Sequence, residues 1–216
     1  MPTIGDATGA ARKRLLCIFA RVPLPGRVKR RLAADLGEQG ALQAHRHLVE
    51  RTLRRCVNPG SHASELWIAA GPADHPDVRS WLARYPLTLQ RQTGADLGAR
   101  MWRALAAGLN TGRHTIVVGA DCPMLDVDYL RQAFNALESH DLVLGPAEDG
   151  GYGLVGLSRS LPEIFDEIPW GGREVLARTL ARADKAGAGV RLLPQIYDVD
   201  CLADWERYQK VRTAPV

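Results

Sequence analysis

Apolar positions along this chain fall into short runs, and between these runs lie longer stretches with the spacing of amphipathic helices. The runs predict strands at 15–20, 65–70, 87–91, 115–118, 141–144, 152–157 and 190–193, and the longer stretches predict helices at 38–56, 75–84, 96–109, 127–138, 173–186 and 202–211. Such alternation is typical of βαβ units. The pattern therefore predicts a three-layer α/β/α sandwich with a mostly parallel central sheet.

The length and the apolar content bound the organisation of the chain. Its 216 residues are 46% hydrophobic, enough for one sizeable core, so we expect a flexible polar tail at 1–13 and a single domain at 14–212. No apolar run approaches the roughly 20 residues that span a bilayer, and no signal peptide is visible. Four scattered cysteines, without a Cys-x-x-Cys pair, indicate reduced thiols. Together these features predict a cytoplasmic protein with no membrane partner.

The charge balance bears on the kind of ligand. The formal net charge is +4, from 28 basic and 24 acidic residues, which fits an anionic small molecule at least as well as a nucleic acid. Aromatic residues make up 6% of the chain, too few for an obvious base-stacking surface, and no nucleic-acid-binding motif is present. We therefore expect a small-molecule substrate and no nucleic-acid partner.

The most informative segment runs from Thr115 to Pro123, where an apolar strand stops at a glycine and is followed by Asp121. In open α/β sheets, ligands bind beyond the carboxyl ends of the strands. A carboxylate in this place can also cap a helix, but Asp126 is better positioned to cap the helix at 127–138. Asp121 is therefore a candidate for chemistry.

A cationic loop follows the first predicted strand and carries five basic residues within the eleven positions from Arg21 to Arg31. Guanidinium groups bind phosphate oxygens through paired hydrogen bonds, so this loop suits a di- or triphosphate. The segment has neither a Walker A motif nor a G-x-G-x-x-G motif. The alternative is a solvated basic turn before a helix.

Two acidic segments lie further along the chain. Glu148 and Asp149 precede a double glycine, and such acids either bind a metal, act as a general base or belong to an ordinary hairpin turn. Asp198 and Asp200 are two residues apart, so in an extended segment their side chains share one face. The alternative for Asp200 is a cap for the last helix.

A fifth segment, from Gln92 to Met101, joins a predicted strand to a helix. Gln92 and Arg100 either contact a base or sugar there or stabilise the fold.

Taken together, the segments resemble the radical-SAM/selenodomain-associated transferase family from about residue 15 to 210. The motifs are Phe19-Ala-Arg21-x-Pro-x-Pro-Gly26, Val28-Lys29-x-Arg31-Leu32, Asp96-Leu-Gly98-x-Arg100-Met101, Gly119-Ala-Asp121-Cys-Pro123, Glu148-Asp149-Gly-Gly-Tyr152, Trp170 and Asp198-Val-Asp200. Three positions depart from the family pattern, which usually has Lys at Arg21, Thr at Arg30 and Ser or Thr at Gly172. The first two departures keep or add positive charge, whereas the third removes a hydroxyl.

The resemblance implies a GT-A-like, nucleotide-diphospho-sugar transferase fold and a metal-dependent mechanism. Mg²⁺ or Mn²⁺ would bridge Asp121 and the phosphates of the nucleotide, with Asp198 or Asp200 as a second protein ligand. Asp149 would be the base that activates an acceptor hydroxyl, so Asp121 and Asp149 are the catalytic candidates. Candidates for contacts with the nucleotide or substrate are Arg21, Gly26, Arg27, Lys29, Arg31, Gln92, Gly98, Arg100, Gly150, Gly151 and Trp170.

Three functions are compatible with these features. The first is glycosyl transfer from a nucleotide sugar to a small-molecule acceptor. The second is nucleotidyl transfer from a nucleoside triphosphate to a phosphorylated acceptor, with release of pyrophosphate. The third is nucleotide binding without turnover.

Overall fold

The computed structural model describes residues 13–213, so the tail predicted at 1–13 lies outside the described residues except for Lys13. The strands are β1 Arg14–Arg21, β2 Ala63–Ala69, β3 Thr88–Arg91, β4 His114–Gly119, β5 Leu142–Pro146, β6 Tyr152–Leu157 and β7 Val190–Leu192. The helices are α1 Arg30–Cys56, α2 Pro76–Arg84, α3 Leu97–Leu109, α4 Val127–Ala136, α5 Val175–Lys185 and α6 Leu202–Thr213, with a 3₁₀ turn at Pro162–Phe165.

The seven strands form one sheet in the order β3-β2-β1-β4-β6-β5-β7. Only β6 is antiparallel to its two neighbours, and the other pairs are parallel. The carboxyl ends of β1, β2, β3, β4 and β5 therefore meet at one edge of the sheet.

Both faces of the sheet are covered, because the strands are apolar on both sides. In β1, Leu16 and Ile18 pack with residues of α1, α2 and α4, whereas Leu15 and Cys17 pack with residues of α3 and α5. Alternate side chains of a strand point to opposite faces, so β1 contributes to both cores. The three-layer α/β/α prediction is confirmed.

The first helix differs from its prediction in length. The sequence predicts a helix at 38–56, but helical structure already begins at Arg30 and passes through a kink at Gly37, which has φ 69°. Glycine adopts this left-handed conformation without the steric cost of a Cβ. The eight additional residues place Arg30 and Arg31, at the end of the cationic loop, in the helix.

The cap that the sequence predicts for α4 is present in the structure. The Asp126 side chain accepts hydrogen bonds from the amides of Asp128 and Tyr129, so it caps α4 as predicted.

All four cysteines are free thiols. Between residues 13 and 213, no helix combines the length and the apolar character needed to cross a bilayer.

Candidate functional site

A cavity of about 860 Å³ opens at the edge where the parallel strands end. It is lined by residues from the ends of β1 to β5, from the cationic loop and from the segment before α6. The candidates that line it are Arg21, Gly26, Arg27, Lys29, Arg31, Gln92, Arg100, Asp121, Asp149, Asp198 and Asp200. These candidates share one site although they are far apart in the sequence, since Arg21 and Asp200 are separated by 179 positions.

Three carboxylates form a compact cluster in this cavity. Asp121, Asp198 and Asp200 each offer an oxygen, and these oxygens lie within 4.8 Å of one another. The amide of Val199 donates to the carbonyl oxygen of Asp121 at 3.0 Å, and this bond holds the two segments together. The spacing of Asp198 and Asp200 accordingly brings both side chains to the end of β4.

Lys29 bridges two of the three carboxylates of this cluster. Its Nζ is 3.0 Å from Oδ2 of Asp121 and 2.8 Å from Oδ1 of Asp200, and its side chain is only 6% exposed. The residue has φ 44° and ψ 49°, a left-handed backbone conformation that non-glycine residues adopt rarely. The sequence indicates Lys29 as a phosphate ligand, but here its ammonium group binds carboxylates.

The charges of the cluster are unevenly compensated. Burial opposes ionisation of Asp121, but the Lys29 ammonium outweighs this effect and holds the pKa of Asp121 below its usual value. The pKa of Asp198 is instead raised to about 6 by burial and by the negative charges of Asp121 and Asp200. Among the described residues, Asp198 has no basic partner within salt-bridge distance. The cluster therefore carries negative charge that a further cation would stabilise.

The other cations of the loop are arranged differently from Lys29. Val28 and Leu32 are 2% and 0% exposed, so they anchor the loop to the core. The side chain of Arg31 is 75% exposed, and its nearest carboxylate oxygen, on Asp200, is 4.0 Å away. The loop thus combines a buried apolar side with cations at the cavity.

The acidic turn between β5 and β6 places Asp149 in the cavity lining. Oδ1 of Asp149 accepts a hydrogen bond from the Gly151 amide at 2.9 Å. Gly150 has φ 90°, and a Cβ at this position would collide with the backbone of Arg173. The two glycines therefore shape the turn, and neither of them is among the residues that line the cavity.

Gln92 and Arg100 line the cavity, but each also makes contacts within the protein. The side-chain nitrogen Nε2 of Gln92 donates to the carbonyl oxygens of Ala20 at 3.3 Å and Trp67 at 2.8 Å. These bonds tie the end of β3 to β1 and β2 and use both amide hydrogens. Arg100 Nε donates a weak hydrogen bond to the carbonyl oxygen of Gly94 at 3.4 Å.

Two further candidates lie outside the cavity lining. Gly98 packs so closely against the Trp170 indole that a Cβ would collide with it. Trp170 also stacks on Phe165, with ring centroids 6.3 Å apart. The structure therefore places Gly98 and Trp170 in a packing contact beside the cavity.

His45 lines the cavity without having been indicated by the sequence. It is 6% exposed, and its Nε2 lies 3.0 Å from the carbonyl oxygen of Arg21. Burial lowers the pKa of His45, which favours its neutral form. A histidine within a long helix gives no local signal of such a position.

Two residues of α6 support the acidic segments and were also missed. The Asp204 carboxylate accepts hydrogen bonds from the amides of Asp200 at 3.0 Å and Cys201 at 2.9 Å. Arg207 donates to both oxygens of Glu148, at 2.7 and 3.0 Å, and its guanidinium lies 3.9 Å from the Tyr197 ring centroid. Arg207 thus contacts the residue that precedes Asp149 and the residue that precedes Asp198.

Fold and site together define a transferase with the nucleotide-diphospho-sugar transferase fold. A protein of Desulfovibrio desulfuricans G20, provisionally described as a nucleotide-diphospho-sugar transferase, is 30% identical to this chain. Its solved structure matches 93% of this chain and 88% of its own, with a TM-score of 0.85.

Two more distant structures share the fold. The 4-diphosphocytidyl-2C-methyl-D-erythritol synthase of Anaerococcus prevotii DSM 20548 is 10% identical, with a TM-score of 0.62 over 94% of this chain and all of its own. The inositol-1-phosphate CTP transferase of T. maritima is 13% identical, with a TM-score of 0.57 over 95% of this chain and 98% of its own.

The chain belongs to the family described as "Uncharacterized protein conserved in bacteria (DUF2064)", whose model matches residues 52–172. The matched region includes Asp121 and Asp149, whereas the cationic loop and Asp198 and Asp200 lie outside it. No curated protein is significantly similar in sequence.

Proposed function

We propose that this transferase moves a glycosyl group from a nucleotide sugar to a small-molecule acceptor with the help of a divalent cation. The observation that carries the proposal is the meeting of a cationic loop and a three-carboxylate cluster in one cavity. The 30% identity to a protein described as a nucleotide-diphospho-sugar transferase supports it. We place the chain among the radical-SAM/selenodomain-associated transferases, with residues 14–212 as one transferase domain.

The carboxylate cluster fits Mg²⁺ or Mn²⁺. Both ions bind carboxylate oxygens, and Mg²⁺ typically takes one or two carboxylates together with phosphate oxygens and water. Oxygens of Asp121, Asp198 and Asp200 are close enough to serve as ligands, and Asp198 has the uncompensated charge. When bound, the ion would neutralise charge on the leaving diphosphate.

The remaining steps fall to side chains of the cavity. Arg27 and Arg31 bind the phosphates of the donor and stabilise the charge that develops on the leaving group. Asp149 accepts the proton of the acceptor hydroxyl as that oxygen attacks the sugar carbon, in an inverting reaction. One Asp149 oxygen holds the Gly151 amide, which fixes the orientation of the carboxylate.

Nucleotidyl transfer is the second candidate, because positive charge is abundant in the cavity. Arg21, Arg27, Arg30, Arg31 and Arg100 line it in addition to Lys29. Such an array suits a triphosphate as well as a diphosphate. In this reaction a phosphorylated acceptor attacks the α-phosphate of a nucleoside triphosphate, and pyrophosphate leaves.

The products distinguish these functions. A panel of nucleotides and nucleotide sugars, with and without Mn²⁺, is first screened by thermal shift, and the stabilising compounds are then incubated with candidate acceptors. Release of a nucleoside diphosphate or monophosphate from a nucleotide sugar supports glycosyl transfer. Release of pyrophosphate from a nucleoside triphosphate, at the same rate in Asp149→Asn as in the wild type, would contradict glycosyl transfer and support nucleotidyl transfer. Binding without any product would indicate a non-catalytic nucleotide-binding protein.

A further inference from the structure

Two cations compete for the same pair of carboxylates in this site. Nζ of Lys29 is within 3.0 Å of one oxygen of Asp121 and one of Asp200. The same two side chains, with Asp198, form the cluster that the proposed function assigns to a divalent ion. The oxygens of the cluster lie within 4.8 Å of one another. An ammonium group and a divalent ion bound to the same oxygens would therefore be close together, and their repulsion disfavours simultaneous binding.

Lys29 is held in this place more firmly than a surface lysine. Its side chain is 6% exposed, and it follows Val28, which is 2% exposed. The two contacts are charge-assisted hydrogen bonds to different carboxylates, from segments that end β4 and precede α6. Removing the ammonium from these carboxylates without offering another anion would leave a buried charge unpaired, which is strongly unfavourable.

Outside the three-carboxylate cluster, the described lining of the cavity offers a displaced ammonium group one other carboxylate, that of Asp149. Six basic and four acidic side chains line the cavity, and the loop neighbours of Lys29 are arginines. A divalent ion on its own would add to this positive excess. Phosphate groups of a nucleotide would instead offset the excess and accept the hydrogen bonds of a displaced ammonium group.

We propose that Lys29 and the divalent cation exclude each other between Asp121 and Asp200, so that the cation enters together with the phosphates of the donor. Lys29 then moves from the carboxylates to the phosphates. This inference rests on the proposed function and refines its substrate: the site takes the metal complex of a nucleotide rather than the free ion.

Mn²⁺ titration of the full chain tests the exchange without any measurement of activity. Calorimetry or the electron paramagnetic resonance of free Mn²⁺ gives the affinity with and without a nucleoside diphosphate. In Lys29→Met, which keeps the length of the side chain and removes its charge, the affinity for Mn²⁺ alone should rise about 10-fold or more, equivalent to about 1.4 kcal/mol. Addition of the diphosphate should strengthen Mn²⁺ binding more in the wild type than in the variant.

Two controls separate the exchange from other effects. Arg30→Met removes one charge from the same loop without touching a carboxylate of the cluster, so it should change the affinity for Mn²⁺ alone by less than about threefold. Lys29→Gln serves as a second variant, and circular dichroism with thermal unfolding verifies that the variants are folded.

The outcomes also distinguish this inference from the function on which it rests. If the wild type binds Mn²⁺ with the diphosphate but neither folded Lys29 variant gains affinity for Mn²⁺ alone, the exchange is wrong and the metal site stands. An equal gain in Arg30→Met would show a general charge effect and would also overturn the exchange. If no protein binds Mn²⁺ with or without nucleotide, both the exchange and the metal-dependent function are wrong.

Discussion

The two sides of the cavity are built in different ways. We define the acidic wall as residues 147–149 and 198–200, which hold Asp149, Asp198 and Asp200. Its backbone is tied in place, because the Glu148 amide donates to the carbonyl oxygen of Ile196 at 3.1 Å and α6 adds Asp204 and Arg207. The cationic loop is anchored by buried Val28 and Leu32, while arginines such as Arg31 extend into solvent.

This difference matches what each side is proposed to bind. A metal ion requires ligands at fixed distances, so supporting hydrogen bonds around the carboxylates are an advantage. Phosphate groups are larger than a metal ion and accept hydrogen bonds from many directions, so exposed arginine side chains that are not held by other residues can bind them. Lys29 is the point at which the two sides meet, since it belongs to the loop and binds Asp121 and Asp200.

The largest effect is expected when the cluster loses Asp121. Asp121→Asn removes the charge and keeps the shape, and the side chain is 40% exposed at a strand end, so the fold should be retained. Metal-dependent nucleotide binding should be abolished. The affinity for Mn²⁺ in the presence of a nucleoside diphosphate should fall more than about 100-fold, because loss of a group that only supports a metal ligand typically costs up to about 100-fold. Unchanged Mn²⁺ affinity in the folded variant would remove Asp121 from the metal site.

The next effect separates chemistry from binding within the acidic wall. Asp149→Asn should lower turnover by roughly 10² to 10⁴ while donor affinity stays nearly unchanged, because a general base acts on the acceptor in the transition state. Glu148→Gln is the matched control, since Glu148 pairs with Arg207 and is not among the residues that line the cavity. It should lower turnover less than about 10-fold. An equal loss in both variants would indicate a structural role for the turn.

The third effect belongs to the cationic loop. The double variant Arg27→Ala/Arg31→Ala should weaken the binding of a nucleoside diphosphate by on the order of 1.5 to 3 kcal/mol for each lost charge-assisted contact. The binding of a free nucleoside should be almost unaffected, because it has no phosphate. Dissociation constants for both ligands give the comparison, and Arg79→Ala on the exposed side of α2 is the control. A similar loss for both ligands would show that the loop shapes the fold instead of binding phosphate.

The sequence predicts the strands and the position of Asp121 because these depend on local patterns. The apolar run 115–118 is followed within three residues by the carboxylate of Asp121. Ligands bind beyond the carboxyl ends of strands in open α/β sheets, so this position in the sequence predicts a position in the site. Asp198 and Asp200 are predicted as neighbours of Asp121 through the resemblance to a family. These parts of the site follow from residue order.

Other parts depend on contacts between distant segments and could not be predicted. Lys29 and Asp121 are 92 positions apart, and the charge of Lys29 alone fits a phosphate or a carboxylate equally well. Arg207 reaches Glu148 over 59 positions from a helix whose sequence gives no sign of it. Gly98 and Trp170 match motif positions, yet their packing contact forms only when α3 meets the segment before α5.

The smallest effect tests whether α6 supports the acidic wall through Arg207. Arg207→Met keeps an apolar side chain near Tyr197 but removes both hydrogen bonds to Glu148. The pair is about half exposed, so its loss should change the free energy of unfolding very little. Because the pair fixes the segments next to Asp149 and Asp198, affinity for the metal–nucleotide complex should still fall about 3- to 10-fold, less than for a group bonded directly to a metal ligand.

A matched change elsewhere decides how this result is interpreted. Arg178 makes a similarly exposed pair with Glu174 at the start of α5, and neither residue lines the cavity. Arg178→Met should leave the affinity for the metal–nucleotide complex unchanged, and Arg207→Lys should recover only part of the loss because an ammonium lacks the paired donors of a guanidinium. If Arg178→Met and Arg207→Met weaken binding equally, the effect comes from general destabilisation. The contrast between a supported acidic wall and a loop with exposed arginines then no longer explains the binding of metal and phosphate.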